Sequence, residues 1–74
     1  MIQTVKEIKK REGVVIRICK GDYGGYEYVE IRQYISDKNG LFKPSKKGQT
    51  FSPNLLDELI EGLMELKRMF TDES

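Results

Sequence analysis

The chain has 74 residues, a formal net charge of +1, one cysteine and no histidine. A chain of this length forms one domain, residues 1–74, and buries only about 60% of the surface that its unfolded form exposes, so its own core is marginal. One thiol excludes an intrachain disulfide, and the lack of histidine removes the commonest metal ligand and general base. Of the devices that stabilise small domains, a partner subunit is the one left open.

Charge is distributed unevenly along the chain. Residues 1–52 hold eleven Lys and Arg against six Asp and Glu, whereas residues 53–74 hold two against six. Such a split is typical of a basic part that meets a polyanion, but also of an ordinary mixed surface. The N-terminus lacks the apolar run of a signal peptide, and no stretch approaches the roughly 20 apolar residues of a membrane-spanning helix. We therefore expect an intracellular protein with no membrane partner, located in the cytoplasm or nucleoid of a prokaryote or in the nucleus of a eukaryote.

Two strands are expected at the start of the chain. Residues 2–10 give a weak strand signal, and residues 13–20 give a stronger one because apolar side chains alternate along them. The expected core positions of the second strand are Val14, Ile16 and Ile18. The glycines within residues 21–25 then predict a turn, since glycine adopts positive φ at no steric cost.

Residues 26–36 give the clearest strand signal, because tyrosine and β-branched residues suit a pleated surface. Val29, Ile31 and Ile35 share one face, and the first two are expected in the core. The opposite face combines aromatic rings with a guanidinium, which is unusual for a merely solvated surface. It carries Tyr26, Tyr28, Arg32 and Tyr34.

A fourth strand is expected over residues 41–51. Asn39-Gly40 before it is a strong signal for a two-residue hairpin turn. Pro44 lacks the N–H that a central strand donates, so this strand should lie at an edge of the sheet or carry a bulge.

The last segment predicts a helix. Ser52 is a suitable N-cap, and Pro53 suits the first helical position. Apolar residues recur with helical spacing in a stripe wider than one small sheet needs, so we expect the helix to cover its own sheet and also to meet a second copy. The interface residues predicted from this stripe are Leu56, Leu59, Ile60, Leu63, Leu66 and Phe70. The expected order is four strands followed by one C-terminal helix.

Enzymatic constellations are nearly absent, and we expect no catalytic residue, metal or cofactor. Cys19 lacks a histidine partner for nucleophilic activation. The glycine-rich residues 21–25 lack the ending of a phosphate-binding loop. No cluster of cysteine and histidine exists to hold zinc.

A basic and aromatic set of residues remains. This mixture is typical of surfaces that bind single-stranded nucleic acid, because cations contact the phosphates and aromatic faces stack on unpaired bases. The alternative is that the tyrosines pack in a dimer interface and the lysines only confer solubility. The candidate binding residues are Arg17, Lys20, Tyr23, Tyr26, Tyr28, Arg32, Tyr34, Lys43, Lys46 and Lys47.

The chain resembles the single-stranded-DNA-binding domain of the transcriptional coactivator family named positive cofactor four (PC4-like). The order and spacing of three short motifs match the family, and together they are fairly specific. They are Ile31-Arg32-Gln33-Tyr34, the Asn39-Gly40 turn with Lys43-Pro44-Ser45-Lys46-Lys47-Gly48, and the Ser52-Pro53 helix start. The resemblance implies a four-stranded antiparallel curved sheet and one helix (ββββα, class α+β), a homodimer, and binding of unpaired strands across the sheets.

The resemblance also suggests roles for particular residues. Arg32 matches the family's strand arginine, and Lys20 and Tyr23 fall near a family segment in which lysine follows an aromatic residue. Where the family often has Trp, this chain has Ile35, so one stacking platform is missing or is replaced by a tyrosine near the turn. The family's basic loop and strand are matched by Lys43, Lys46 and Lys47.

Two functional hypotheses follow. The first is sequence-independent binding of single-stranded DNA by a homodimer, with RNA open as a second ligand, in transcription or in the handling of melted DNA, with transcription machinery as a further class of partner. The second is a protein-interaction module that uses the wide apolar face of the C-terminal helix.

Overall fold

The computed structural model describes residues 1–72, so the last two residues of the expected domain lie outside the described part. Four strands precede one helix, and the strands pair antiparallel in the order β1-β2-β3-β4. The expected ββββα architecture is therefore confirmed. The elements are β1 (Ile2–Arg11), β2 (Val14–Tyr23), β3 (Tyr26–Ser36), β4 (Phe42–Phe51), a 3₁₀ turn (Pro53–Leu55) and α1 (Leu56–Thr71).

The register of β2 on β3 divides the sheet into two faces. Directly opposed residues share a face, and Ile18 opposes Ile31 whereas Arg17 opposes Arg32. What we call the apolar face carries Val14, Ile16, Ile18, Val29, Ile31 and Ile35. What we call the tyrosine face carries Arg17, Tyr23, Tyr26, Tyr28, Arg32 and Tyr34. The alternation predicted for both strands is confirmed.

The core is small, as expected for this length. Val14 and Val29 on the apolar face are buried, and so are Val15, Cys19 and Tyr34 on the other side of the sheet. The other three expected core residues are only half-buried: Ile16, Ile18 and Ile31.

The β2–β3 turn is shorter than the sequence predicted. β2 continues through Tyr23, which pairs with Tyr26, so the prediction of a turn from residue 21 was wrong for its first three residues. Gly24 and Gly25 alone form the turn, with φ of 58° and 84°. A two-residue hairpin turn of this kind needs positive φ at both central residues, and two glycines supply it without strain.

The β3–β4 connection is longer than predicted. Ser36 pairs with Phe42, so five residues, 37–41, replace the expected two-residue turn. Asn39 does not adopt positive φ, and the tight turn would have required it. Asp37 organises the longer loop instead, because its Oδ1 accepts the backbone N–H groups of Asn39 at 2.8 Å and Leu41 at 3.0 Å.

β4 is an edge strand with a bulge, as Pro44 predicted. Arg32 pairs with Gly48 and Tyr34 pairs with Pro44, so residues 45–47 all lie opposite Gln33; we call them the lysine bulge. The Ser45 hydroxyl fixes the bulge by donating to the Gln33 carbonyl at 2.8 Å and accepting the Lys47 N–H at 3.1 Å.

The helix begins later than predicted and projects from the sheet. Pro53 starts the 3₁₀ turn rather than α1, and the Ser52 side chain makes no capping hydrogen bond; its carbonyl accepts the Leu55 N–H at 3.1 Å. Leu56 lines a cavity with Ile18 and Val29 of the apolar face. No residue of α1 is buried, so the expectation that the helix covers its own sheet was wrong beyond its first turn. No helix in the described part combines the length and apolarity needed to cross a bilayer.

Candidate nucleic-acid interface

The tyrosine face gathers six of the ten predicted binding residues. Their positions follow from the β2–β3 register, which places odd-numbered β2 residues beside even-numbered β3 residues. Lys20 is not among them, because it lies on the apolar face, where its Nζ is 3.0 Å from a carboxylate oxygen of Glu27. The remaining three belong to β4. Lys43 opposes Ile35 and therefore also lies on the apolar face, whereas Lys46 and Lys47 lie in the lysine bulge at the edge of the sheet.

The tip of the β2–β3 hairpin presents two open aromatic rings. Tyr23 and Tyr26 pair across the strands on either side of the Gly-Gly turn, and they are 82% and 80% exposed. Exposure of this degree is unusual for aromatic side chains, and it leaves both rings accessible to a planar ligand.

Tyr34 is the opposite case, since only 8% of it is exposed. The Arg17 guanidinium lies over its ring, 4.5 Å from the centroid, and also approaches the Phe42 ring at 5.8 Å. Arg17 Nε donates to Glu7 at 2.8 Å, which holds the guanidinium in place. Burial raises the pKa of the Tyr34 hydroxyl, and the negative charge of Glu30 adds to the effect.

Arg32 is held against the β4 edge. Its Nη1 donates to the Ser45 carbonyl at 2.9 Å, and its Nε is 3.5 Å from a carboxylate oxygen of Glu30. The side chain is 20% exposed. A guanidinium carries five N–H donors in a fixed fork, so donors that these two contacts leave unused can meet a phosphate.

Carboxylates already neutralise four of the six predicted cations. Arg17, Lys20 and Arg32 have the acidic partners described above, and Lys43 Nζ lies 3.6 Å from Asp37. Hydrogen bonds from the Leu41 and Asn39 N–H groups, and then Lys43, hold the pKa of Asp37 below its usual value. Within residues 1–72, the two bulge lysines have no acidic partner, so Lys46 and Lys47 can contact a polyanion without displacing one.

Sequence reasoning missed the partners that orient the arginines. Glu30 could have been found, because it is two residues from Arg32 on β3 and therefore on the same face. Glu7 could not have been found, because it opposes Arg17 only through the bulge between Lys9 and Arg11, which shifts the register of β1 on β2.

The predicted interface residues of the helix form an unpartnered apolar stripe. Leu56 and Leu59 are half-buried near the sheet. The other four are exposed by about half or more of their surface: Ile60, Leu63, Leu66 and Phe70. A contiguous exposed apolar patch of this kind marks an interaction surface in a protein that does not aggregate.

Among residues 1–72, no group of three or more His, Cys, Asp or Glu side chains could hold a metal ion. The chemistry that the described residues offer is binding: flat aromatic faces, guanidinium and ammonium donors, and an apolar helix face.

The family comparisons agree with this architecture. The sequence matches the model of the family Transcriptional Coactivator p15 (PC4) over residues 6–62. A PC4 homologue from Burkholderia pseudomallei K96243 is similar in two crystal forms. The tetragonal form has a TM-score of 0.86 at 32% identity, covering 92% of this chain and 100% of that chain. The orthorhombic form has a TM-score of 0.84 at 33% identity, covering 89% of each chain.

A more distant structure is the bacteriophage T5 homologue of the eukaryotic transcription coactivator PC4, described as implicated in recombination-dependent DNA replication. It has a TM-score of 0.64 at 26% identity, covering 99% of this chain and 80% of that chain. A search of curated proteins finds no match. The family match spans most of the chain, and the homologue of known structure exceeds 30% identity over nearly all of it. This chain therefore belongs to the Transcriptional Coactivator p15 (PC4) family.

Proposed function

We propose that this chain is an intracellular homodimer that binds single-stranded DNA without sequence specificity and acts, without catalysis, in transcription or in the handling of melted DNA. RNA is the second ligand to test. The observation that carries the proposal is the tyrosine face, on which one side of the β2–β3 hairpin presents aromatic rings and guanidinium groups together.

The tyrosine face and the β4 edge would make different contacts, the first mainly with bases and the second with phosphates. Tyr23 and Tyr26 are open for stacking, which contributes about 1–3 kcal/mol per base. Arg32 lies between them and the lysine bulge, where Lys46 and Lys47 offer charge that no acid within residues 1–72 neutralises. In this proposal Tyr34 supports Arg17 rather than a base, and Lys20 on the apolar face takes no part.

A double helix suits this surface poorly. Reading a duplex normally places a helix or a two-stranded ribbon in the major groove. The only helix among residues 1–72 is lined on one side by acids that would repel phosphates: Asp57, Glu58, Glu61 and Glu65. The open sheet, by contrast, offers rings to bases that are already unpaired.

The exposed stripe of α1 supports the homodimer. Leu63 and Leu66 are 54% and 46% exposed, and Phe70 is 73% exposed. Burying a side chain of this kind contributes about 1.5–3 kcal/mol, so an identical stripe on a second copy would stabilise a domain whose own core is small.

The direct test is fluorescence anisotropy of labelled oligo-dT at low and physiological salt, with duplex DNA and oligo-U as competitors. We expect binding that weakens steeply with salt, because each phosphate neutralised on a single strand adds about −0.7 to the log–log slope. Duplex should compete poorly. Absence of binding at micromolar protein and low salt would reject the proposal.

The alternative is a protein-interaction module, favoured by the same unpartnered stripe. The two functions differ in the role of the three lysines of β4. Replacing Lys43, Lys46 and Lys47 with Ala should weaken strand binding by about a hundredfold at 0.1 M salt and leave the dimer intact if the first function holds. It should change little if the helix alone carries the function.

A further inference from the structure

Gly21 stands apart from most glycines of the chain. Positive φ explains Gly13, Gly24, Gly25 and Gly40, whose turns favour glycine for conformational reasons. Gly21 lies inside β2 without positive φ, and glycine inside a strand is unfavourable unless another group approaches the backbone closely.

The group that approaches Gly21 is the ring of Tyr28, its directly opposed partner on β3. A Cβ added at Gly21 would lie 2.0 Å from Cζ of Tyr28, 2.3 Å from Cε2 and 2.5 Å from Cε1. Both neighbouring carbons are only slightly farther from this point than Cζ is. In the plane of the ring, a point beyond Cζ would be much farther from both, so the point lies above the face of the ring, at the hydroxyl end. The ring of Tyr28 therefore lies flat across β2, whereas a strand side chain ordinarily stands roughly perpendicular to the sheet.

The geometry points to Gly21 as a positioning residue of the nucleic-acid interface: its missing side chain creates the recess that holds Tyr28 flat as a stacking platform. This inference rests on the proposed function and adds a specific third platform to it. With one face of the ring against the backbone of β2, the opposite face is turned away from the sheet. Part of the Tyr28 side chain remains exposed, and in this inference the base stacks on that outer face.

The platform continues the row of rings at the hairpin tip. Tyr28 and Tyr26 are two residues apart on β3 and share the tyrosine face, which separates them by about 7 Å along the strand. A ring fixed in advance loses no rotamer freedom when a base stacks on it, so the recess strengthens binding by preorganisation.

The test compares four forms of the full chain: unaltered, Gly21→Ala, Tyr28→Ala and the double variant. A Cβ at residue 21 meets only the outer end of the Tyr28 side chain, which can swing away, so we expect Gly21→Ala to fold. Gly62→Ala is the matched control, because a Cβ there meets nothing within 4 Å. The readouts are oligo-dT anisotropy, thermal unfolding and the NMR resonances of the Tyr28 ring in the free protein.

We expect Gly21→Ala to shift the Tyr28 resonances and to weaken oligo-dT binding about as much as Tyr28→Ala does, by about 5-fold to 150-fold, the range for one lost stack. The double variant should bind like Tyr28→Ala alone, since Gly21 acts only through that ring. Should Gly21→Ala fail to fold, the double variant must recover the fold, because it removes the overlap.

Two results would overturn the inference while the proposed function stands. Equal oligo-dT affinity of the unaltered chain and of folded Gly21→Ala would overturn it alone, as would a further loss in the double variant. Failure of the unaltered chain to bind oligo-dT would overturn the proposed function, and the inference with it.

Discussion

The sheet and the helix differ in how their exposed groups are partnered. On the tyrosine face, Arg17 is held by Glu7 and Tyr34, and Arg32 by Glu30 and the Ser45 carbonyl. Along α1, no residue is buried, and apolar side chains extend into solvent from residue 60 onward. The two arginines of the sheet are therefore held by partners within the chain, whereas the apolar stripe of the helix is covered by nothing among residues 1–72.

Substitutions in the helix and in the sheet should therefore affect different properties, assembly in the first case and ligand binding in the second. The helix stripe holds a large apolar area that only another molecule can bury, so most of the free energy of assembly should reside there. The sheet carries the aromatic rings, the guanidinium groups and the bulge lysines, so its variants should change ligand affinity more than assembly.

A charge in the helix stripe should break the assembly. We expect Leu63→Asp to dissociate the proposed dimer, because each protomer would lose about 1.5–3 kcal/mol of apolar burial and would have to desolvate a carboxylate as well. Sedimentation velocity with thermal unfolding measures the outcome. Glu61→Lys, on the acidic side of the same helix, is the control and should leave the mass unchanged. A Leu63→Asp protein that keeps the mass of the unaltered chain would place the interface elsewhere.

The lysine bulge and its neighbour should govern salt dependence. We expect Lys43→Ala, Lys46→Ala and Lys47→Ala together to reduce the log–log salt slope of oligo-dT binding by about 2, and the affinity at 0.1 M salt by about a hundredfold. Titrations at four or more salt concentrations measure both. Lys20→Ala is the matched control, since that side chain lies on β2, away from the β4 edge, and is paired with Glu27. An equal loss in the control would contradict the assignment of phosphate binding to the β4 edge.

Two tyrosines of one face should respond in opposite ways. We expect Tyr23→Ala to weaken oligo-dT binding by about 1–3 kcal/mol with little change in stability, because its ring is 82% exposed. We expect Tyr34→Ala to lower the midpoint of thermal unfolding instead, because its ring is buried under Arg17. Thermal unfolding and oligo-dT anisotropy are measured on both variants. If the same variant were the more impaired in both assays, the prediction would be contradicted.

The alternation of side chains was readable from the sequence because a strand repeats every two residues. Once residues 26–36 were identified as a strand, the separation of Val29 and Ile31 from Tyr28 and Arg32 followed. Pro44 likewise predicted the edge strand, since a missing N–H is a local property. These features depend on neighbouring residues only.

The features that the sequence did not reveal depend on register or on the end of an element. The placement of Glu7 beside Arg17 requires the β1 bulge between Lys9 and Arg11, and the recess under Tyr28 requires Gly21 to oppose it on another strand. The wide helix stripe predicted two contacts, the sheet and a second copy. Pattern alone did not reveal that α1 leaves the sheet after its first turn.

The smallest expected effect concerns the loop between β3 and β4. The pKa of Asp37 is lowered chiefly by backbone N–H groups of Leu41 and Asn39, and only then by Lys43. A carboxylate whose folded pKa lies below its unfolded value stabilises the fold above that unfolded value, near 3.8, and loses this contribution as the pH falls through the folded pKa. We expect Asp37→Ala to lower the unfolding midpoint at neutral pH, with the gap to the unaltered chain closing below about pH 3.8. An NMR titration should place the Asp37 midpoint below 3.8 and show only a small rise in Lys43→Ala. A large rise would mean that the lysine, rather than the backbone, holds the loop, and the triple lysine variant would then disturb the loop as well as the ligand contacts.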